Sequence, residues 1–133
     1  MPFYATKGSA GMDLIACLDE DVVMPPLSRK LIPTGIAIKI PGPSYGAFIF
    51  ARSGLATKKG ICLANGVGVI DSDYTGELKV GLINLSNEEF VVKNGERIAQ
   101  LVIMPVNQAN LTVVDEIEET ERGAGGFGST GTN

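Results

Sequence analysis

Seventeen glycines and seven prolines interrupt runs of Val and Ile along the whole chain, and this pattern predicts an all-β fold with frequent turns. The hydrophobic content of 44% marks a chain that folds, and 133 residues suffice for one modest core rather than two full domains.

The strands follow in order. Residues 10–17, AGMDLIAC, read as a strand carrying one carboxylate, Asp13, among small and apolar neighbours. Asp19, Glu20 and Asp21 make a charged turn before a strand over 22–24. Pro25 and Pro26 end that strand, because neither can donate to a ladder. Strands over 29–32 and 35–40 come next, and the mostly apolar 36–40 suits a strand covered on both sides. The turn at Pro41, Gly42 and Pro43 leads to a central strand over 45–50. Residues 52–55 are expected as a loop or single helical turn, and Lys58, Lys59 and Gly60 as a solvated turn. Residues 61–64 lead into a glycine-bearing reversal, followed by an apolar strand over 78–85 and a polar turn. A short strand over 90–92 precedes Asn94-Gly95, a signal for tight reversal. Residues 96–106 have a polar entry and an apolar body, and 111–117 read as the last strand. The domain is therefore expected over 1–117, with a polar, glycine-rich tail over 118–133.

Composition narrows the function. The formal net charge of −4 argues against nucleic-acid and membrane-surface partners, since both require a basic field. The absence of histidine removes imidazole metal sites and every Ser-His or Cys-His catalytic arrangement. Cys17 and Cys62 both lie in apolar company and are expected as buried thiols, with a single bridge as the alternative. With no basic and apolar leader and no run of membrane-spanning length, a cytoplasmic location is expected, or a nuclear one in a eukaryotic or viral setting.

The most informative stretch is 65–77, NGVGVIDSDYTGE. If it forms part of a β-hairpin, Asp71 and Asp73 share a face, while Asn65, Gly66 and Gly68 permit turns or close backbone approach. That suits a small ligand held against hairpin backbone beside a carboxylate; an ordinary hairpin with acids facing water is the plainer alternative. Arg52, Ser53 and Gly54 offer a guanidinium fork, a hydroxyl and a backbone amide, a plausible anion clamp that a surface salt bridge would equally explain. Gln100, an amide in an apolar run, either satisfies backbone groups or reaches a ligand. The tail carries Arg122, Phe127, Ser129 and Thr130 among five glycines and is either a disordered terminus or a closing lid. No lysine precedes Ser129-Thr130, so it is not a phosphate-binding loop of the strand–loop–helix kind. Together the phosphate-suited donors and the rings of Tyr74 and Phe127 suggest a nucleotide site. Any metal there is expected to be oxygen-ligated and carried largely by the phosphates, with Mg²⁺ the best fit and Asp71 a general base for water.

Five ordered blocks carry a family resemblance: 10–16 (AGMDLIA), 52–55 (RSGL), 65–74 (NGVGVIDSDY), 95–100 (GERIAQ) and 122–131 (RGAGGFGSTG). Over almost its whole length the sequence resembles the trimeric, all-β deoxyuridine triphosphatase (dUTPase) family. The resemblance implies a distorted β-barrel, jelly-roll-like and of the β-clip type, with a flexible glycine-rich C-terminal tail closing over a neighbouring active site. It implies hydrolysis of dUTP to dUMP and pyrophosphate, which limits uracil in DNA and supplies dUMP for dTMP synthesis. Asp71 matches the carboxylate that activates water for attack on the α-phosphorus. Asn65 and the backbone around Val69 and Ile70 match the uracil-reading group, and Tyr74 matches the ring that packs under deoxyribose and excludes a 2′-hydroxyl. Lys79 matches a pocket position. Arg52, Ser53 and Gly54 match the phosphate block, and Gln100 the amide near the α-phosphate. Arg122, Phe127, Ser129 and Thr130 resemble the γ-phosphate contacts and the ring that caps uracil. The resemblance further implies Mg²⁺ held by substrate phosphates and water with no direct protein ligand, Asp13 in its outer network, and a homotrimer with shared sites. Ala51 departs from the family's frequent proline, and family members usually carry a further strand ahead of residue 2.

Two other functions fit parts of the pattern. A dCTP deaminase-like enzyme shares the fold but calls for a longer chain and a different tail. A non-catalytic dUTP-binding regulatory module would not need Asp71 together with the phosphate-side residues.

Overall fold

A computed structural model describes residues 1–126. Its elements are β1 (Met12–Ile15), β2 (Val22–Met24), β3 (Arg29–Ala37), β4 (Tyr45–Ala51), α1 (Ser53–Lys59), β5 (Ile61–Leu63), β6 (Gly68–Ile70), β7 (Glu77–Asn84), β8 (Phe90–Val92) and β9 (Arg97–Pro105). All pairings are antiparallel and build three sheets, ordered β1-β9-β4-β6, β2-β8 and β3-β7-β5, around one apolar core. Strand β7 shows why these residues form strands: Leu78, Val80 and Leu82, each 1% exposed, recur every second position and point inward. Burying each such side chain contributes roughly 1.5–3 kcal/mol. The same alternation continues to Asn84, which is fully buried and donates through Nδ2 to the carbonyls of Met24 and Glu88.

Several expectations change. The two strands expected over 29–40 are one element, β3, whose register shifts between Pro33 and Ala37. Its proline is tolerated because β3 is an edge strand. At the shift, Gly35 adopts φ +66° and its N–H donates to Glu77 Oε1 at 2.9 Å. The loop or single helical turn expected after β4 is a seven-residue helix, α1, that extends through Lys58 and Lys59. Gly60 ends it in the left-handed conformation, its N–H donating to Ala56 O, so the expected solvated turn is the helix terminus.

Residues 61–77 do not form a two-stranded hairpin. β5 pairs with β7 and β6 pairs with β4, so the segment passes from one sheet to the other. Asp71 to Tyr74 is a turn closed by Tyr74 N–H donating to Asp71 O at 3.1 Å, and Asp71 and Asp73 do not alternate along a strand. The strand expected over 111–117 does not form, and among the described residues no neighbouring strand pairs with its backbone. Leu111, Val113 and Ile117 are instead almost fully exposed. The thiols are free, and neither is buried: Ala16 takes the inward position after β1, which leaves Cys17 exposed, and Cys62 is half-buried. The expected reversal at Asn94-Gly95 is present, with Gly95 at φ +80° and Asn94 Oδ1 accepting from Leu18 N–H.

Candidate active site

Strand β9 lies between β1 and β4, and its register sets Gln100 opposite both Asp13 and Phe50. Beside this line, Arg52 occupies the junction between β4 and α1. Its Nε lies 3.0 Å from Asp13 Oδ1, and its Nη1 donates to Arg97 O at 3.2 Å. Arg97 Nη1 in turn donates to Asp13 Oδ2 at 3.2 Å, so one carboxylate holds two guanidiniums. Gln100 Nε2 donates to Ala51 O at 3.0 Å. Gly11 packs on it: a Cβ there would meet Gln100 Oε1 at 3.0 Å. These residues, with Ser53 and Gly54, line an open cleft of about 700 Å³. Lys58 and Lys59 complete its cationic wall.

A second cleft, of about 430 Å³, is lined by Val69, Ile70, Asp71, Tyr74 and Lys79, with Leu31, Glu77 and Leu78. Val69, Ile70 and Asp71 also border an adjoining hollow of about 440 Å³, so Asp71 stands on the ridge between two concavities. Asp71 is exposed, and no side-chain hydrogen bond or ion pair engages it among the described residues. The Tyr74 hydroxyl donates to Glu77 O at 2.9 Å, which folds the ring back along the cleft wall.

The structure thus gathers Asp13, Arg52, Ser53, Gly54 and Gln100 in one place, and Val69, Ile70, Asp71, Tyr74 and Lys79 in another. The two clefts share no lining residue. Asn65 is exposed in the β5–β6 reversal, where its carbonyl accepts from Val67 N–H at 2.8 Å, and it lines neither cleft. Arg122 is exposed on the C-terminal segment and donates to Gly125 O at 3.0 Å. Phe127, Ser129 and Thr130 lie outside the described residues. Sequence reasoning singled out no role for Arg97, Lys58, Lys59 or Glu77. Arg97 carried a signal: it is the one cation at the mouth of an apolar run, as Asp13 is the one anion in another.

Three antiparallel sheets around one core, carrying a paired-arginine cleft and a separate cleft beside Asp71, place the chain in the class of all-β proteins. Comparison with known proteins narrows this. The dUTPase family model matches residues 1–131, and the chain belongs to the dUTPase family. The deoxyuridine 5′-triphosphate nucleotidohydrolase of Neisseria meningitidis serogroup A is 60% identical over 131 residues, covering 98% of this chain and 87% of that protein. That of Desulfitobacterium hafniense (strain DSM 10664 / DCB-2) is 56% identical over 133 residues, covering 100% and 88%. Among solved structures, the Staphylococcus bacteriophage 80alpha dUTPase with dUPNHPP superposes with a TM-score of 0.88 at 31% identity, covering 99% of this chain and 92% of that one. A mutant dUTPase from phage phi11 of S. aureus, described with a structural Mg(II) ion, gives 0.79 at 26% identity, covering 90% and 92%.

Proposed function

We propose that this chain hydrolyses dUTP to dUMP and pyrophosphate, with Asp71 as general base and the Arg52 cleft as phosphate grip. The relatives' shared name, deoxyuridine 5′-triphosphate nucleotidohydrolase, supports the reaction. The observation that carries the residue assignment is the turn at Asp71, which holds a carboxylate unengaged among the described residues and the Tyr74 ring on the wall of one cleft. In this reading the uracil and deoxyribose occupy that cleft, with backbone at Val69 and Ile70 and the Asn65 reversal reading the base and Lys79 closing the pocket. Tyr74 packs under the sugar. Water between Asp71 and the α-phosphorus gives its proton to the carboxylate as its oxygen bonds to phosphorus. The bond from the α-phosphorus to the bridging oxygen breaks, and pyrophosphate leaves. Arg52, Ser53, the Gly54 backbone and Gln100 hold the phosphates, and Gln100 would exchange its Ala51 contact for substrate. Arg122, Phe127, Ser129 and Thr130 are proposed to close over the bound nucleotide, within a tail spanning 118–133.

Two features support a homotrimer with shared sites. Among the described residues the sugar-side and phosphate-side clefts have no wall in common within one chain, and the apolar side chains of Leu111, Val113 and Ile117 stay exposed. A second copy supplies both needs. A mass in solution of three times 13.9 kDa is the expected result. A cytoplasmic or nuclear location belongs to the same proposal.

The donor set bears on Mg²⁺. Among the described residues no three Asp, Glu, Cys or His side chains converge, so this chain builds no cage of its own. That fits an ion carried in on the phosphates, as Mg²⁺ characteristically is. Asp13 has both oxygens on guanidiniums, and only its remaining lone pairs are left for the ion's water shell. Bound with substrate, the ion would neutralise phosphate charge.

Pyrophosphate release from dUTP, UTP, dTTP and dCTP, compared side by side, tests the function. Fast release from dUTP alone is expected. Equal release from UTP would overturn the sugar assignment, and ammonia release from dCTP would favour the deaminase-like alternative.

A further inference from the structure

Gly76 follows the Asp71–Tyr74 turn, yet the turn does not need a glycine there. The described glycines with left-handed backbone are Gly35, Gly42, Gly60, Gly66, Gly95 and Gly123, and Gly76 is not among them. Its φ lies outside the left-handed region that favours glycine. What it lacks room for is a side chain. A Cβ at position 76 would lie 2.5 Å from Tyr74 Oη, 2.7 Å from Cζ and 3.1 Å from Cε2. All three atoms belong to the same ring, and the first two distances are well inside van der Waals contact.

We infer that Gly76 is a positioning residue for sugar specificity: the absent side chain is the space in which the Tyr74 ring lies. The inference rests on the assignment of Tyr74 to the deoxyribose end of the site. Tyr74 is held at three points, two of them on the ring. Tyr74 N–H donates to Asp71 O, its hydroxyl donates to Glu77 O at 2.9 Å, and its edge lies over Gly76. Glu77 is itself anchored, since it pairs with Ala37 at the start of β7 and its Oε1 accepts from Gly35 N–H. The carbonyl that accepts from the tyrosine hydroxyl is therefore not free to follow a displaced ring. Any β-carbon at 76 forces the ring off that bond and into or out of the cleft. Tyr74 separates ribose from deoxyribose by occupying the volume of one hydroxyl, so a shift of about 1 Å is enough to abolish the distinction.

The test is a cycle of Gly76→Ala, Tyr74→Ala and the double variant, with kcat and KM measured for dUTP and UTP. Gly76→Ala is expected to raise the KM for dUTP and to lower the dUTP-over-UTP preference in kcat/KM by at least tenfold. In the Tyr74→Ala background the same change is expected to alter that preference less than twofold, because the ring is gone. If Tyr74→Ala leaves the preference intact, the sugar-site reading fails. If Tyr74→Ala lowers it and Gly76→Ala does not, the inference alone fails. Should Gly76→Ala not fold, a folded double variant with the preference of Tyr74→Ala supports the ring clash. A double variant that also fails to fold would make Gly76 merely structural and overturn the inference.

Discussion

Arg52 Nε sits 3.0 Å from one oxygen of Asp13, and Arg97 Nη1 sits 3.2 Å from the other. The Asp13 side chain is 12% exposed, against 30% for Arg52 and 49% for Arg97, so the carboxylate is the buried hub and the cations are its arms. Asp13→Asn keeps one acceptor and turns an N–H₂ toward the other guanidinium. Two neighbouring cations then surround a neutral group and repel each other. Because the arginines are partly solvated, the loss is moderated from that of a fully buried pair. We expect the KM for dUTP to rise on the order of tenfold, about 1.4 kcal/mol, with a smaller change in kcat. Steady-state kinetics decide it, and an unchanged KM would show that the arginines are oriented by something else.

The Asp71 side chain engages no partner among the described residues, so its carboxylate can be neutralised without disturbing the fold. Asp71→Asn should lower kcat by roughly 10²–10⁴-fold, the usual contribution of a positioned base. Calorimetric binding of a non-hydrolysable dUTP analogue should stay close to that of the unaltered chain. Substantial turnover by this variant would remove Asp71 from the chemistry.

Asn84 is a stability determinant. Its Nδ2 serves the carbonyls of Met24 and Glu88, and its Oδ1 accepts from the N–H and hydroxyl of Ser86. Asn84→Ala removes all four of these contacts at a fully buried position, so unfolding stability should fall by about 2–3 kcal/mol. Urea denaturation at fixed protein concentration measures this. A loss below ~0.5 kcal/mol would mean that water replaces the amide.

Leu27 is the one non-glycine residue at positive φ among the described residues, at +62°. It precedes Ser28, whose N–H closes the turn onto Pro25 O, and its side chain is 73% exposed. The left-handed backbone costs a branched L-residue about 1–2 kcal/mol, and glycine's extra freedom when unfolded gives back about 0.5–1 kcal/mol of that relief. Leu27→Gly should therefore stabilise the chain by about 0.5–1 kcal/mol, read from the same urea curves. Destabilisation would mean that Leu27 is packed in the assembled protein.

Where burial alternates along a strand, the sequence was informative: Leu78, Val80 and Leu82 announce β7 and the face it buries. Helix α1 was hidden because none of its seven residues is buried, so it shows no apolar stripe, and Gly60 punctuates only its end. The pattern over 111–117 is that of a strand, but pairing depends on a neighbour that the described residues do not provide. The passage from β5 to β6 misled for a related reason, since local turn residues specify a reversal without saying which sheet receives each arm. In the site, motif residues were legible one by one. The link from Asp13 to Arg97 was not, because it depends on the β1–β9 register between residues far apart in sequence.

The burial of Asn84 reaches beyond stability. Asn84-Leu85-Ser86 and Asn110-Leu111-Thr112 both spell the tripeptide that receives N-linked sugar on exported chains. At Asn84 the nitrogen that would carry the glycan is the one bonded to Met24 and Glu88 in the interior, so the folded domain and a sugar there exclude each other. Asn110 is exposed and imposes no such choice. Produced through a glycosylating route, the chain would divide into a native population decorated at Asn110 alone and a trapped glycoform that never closes its core.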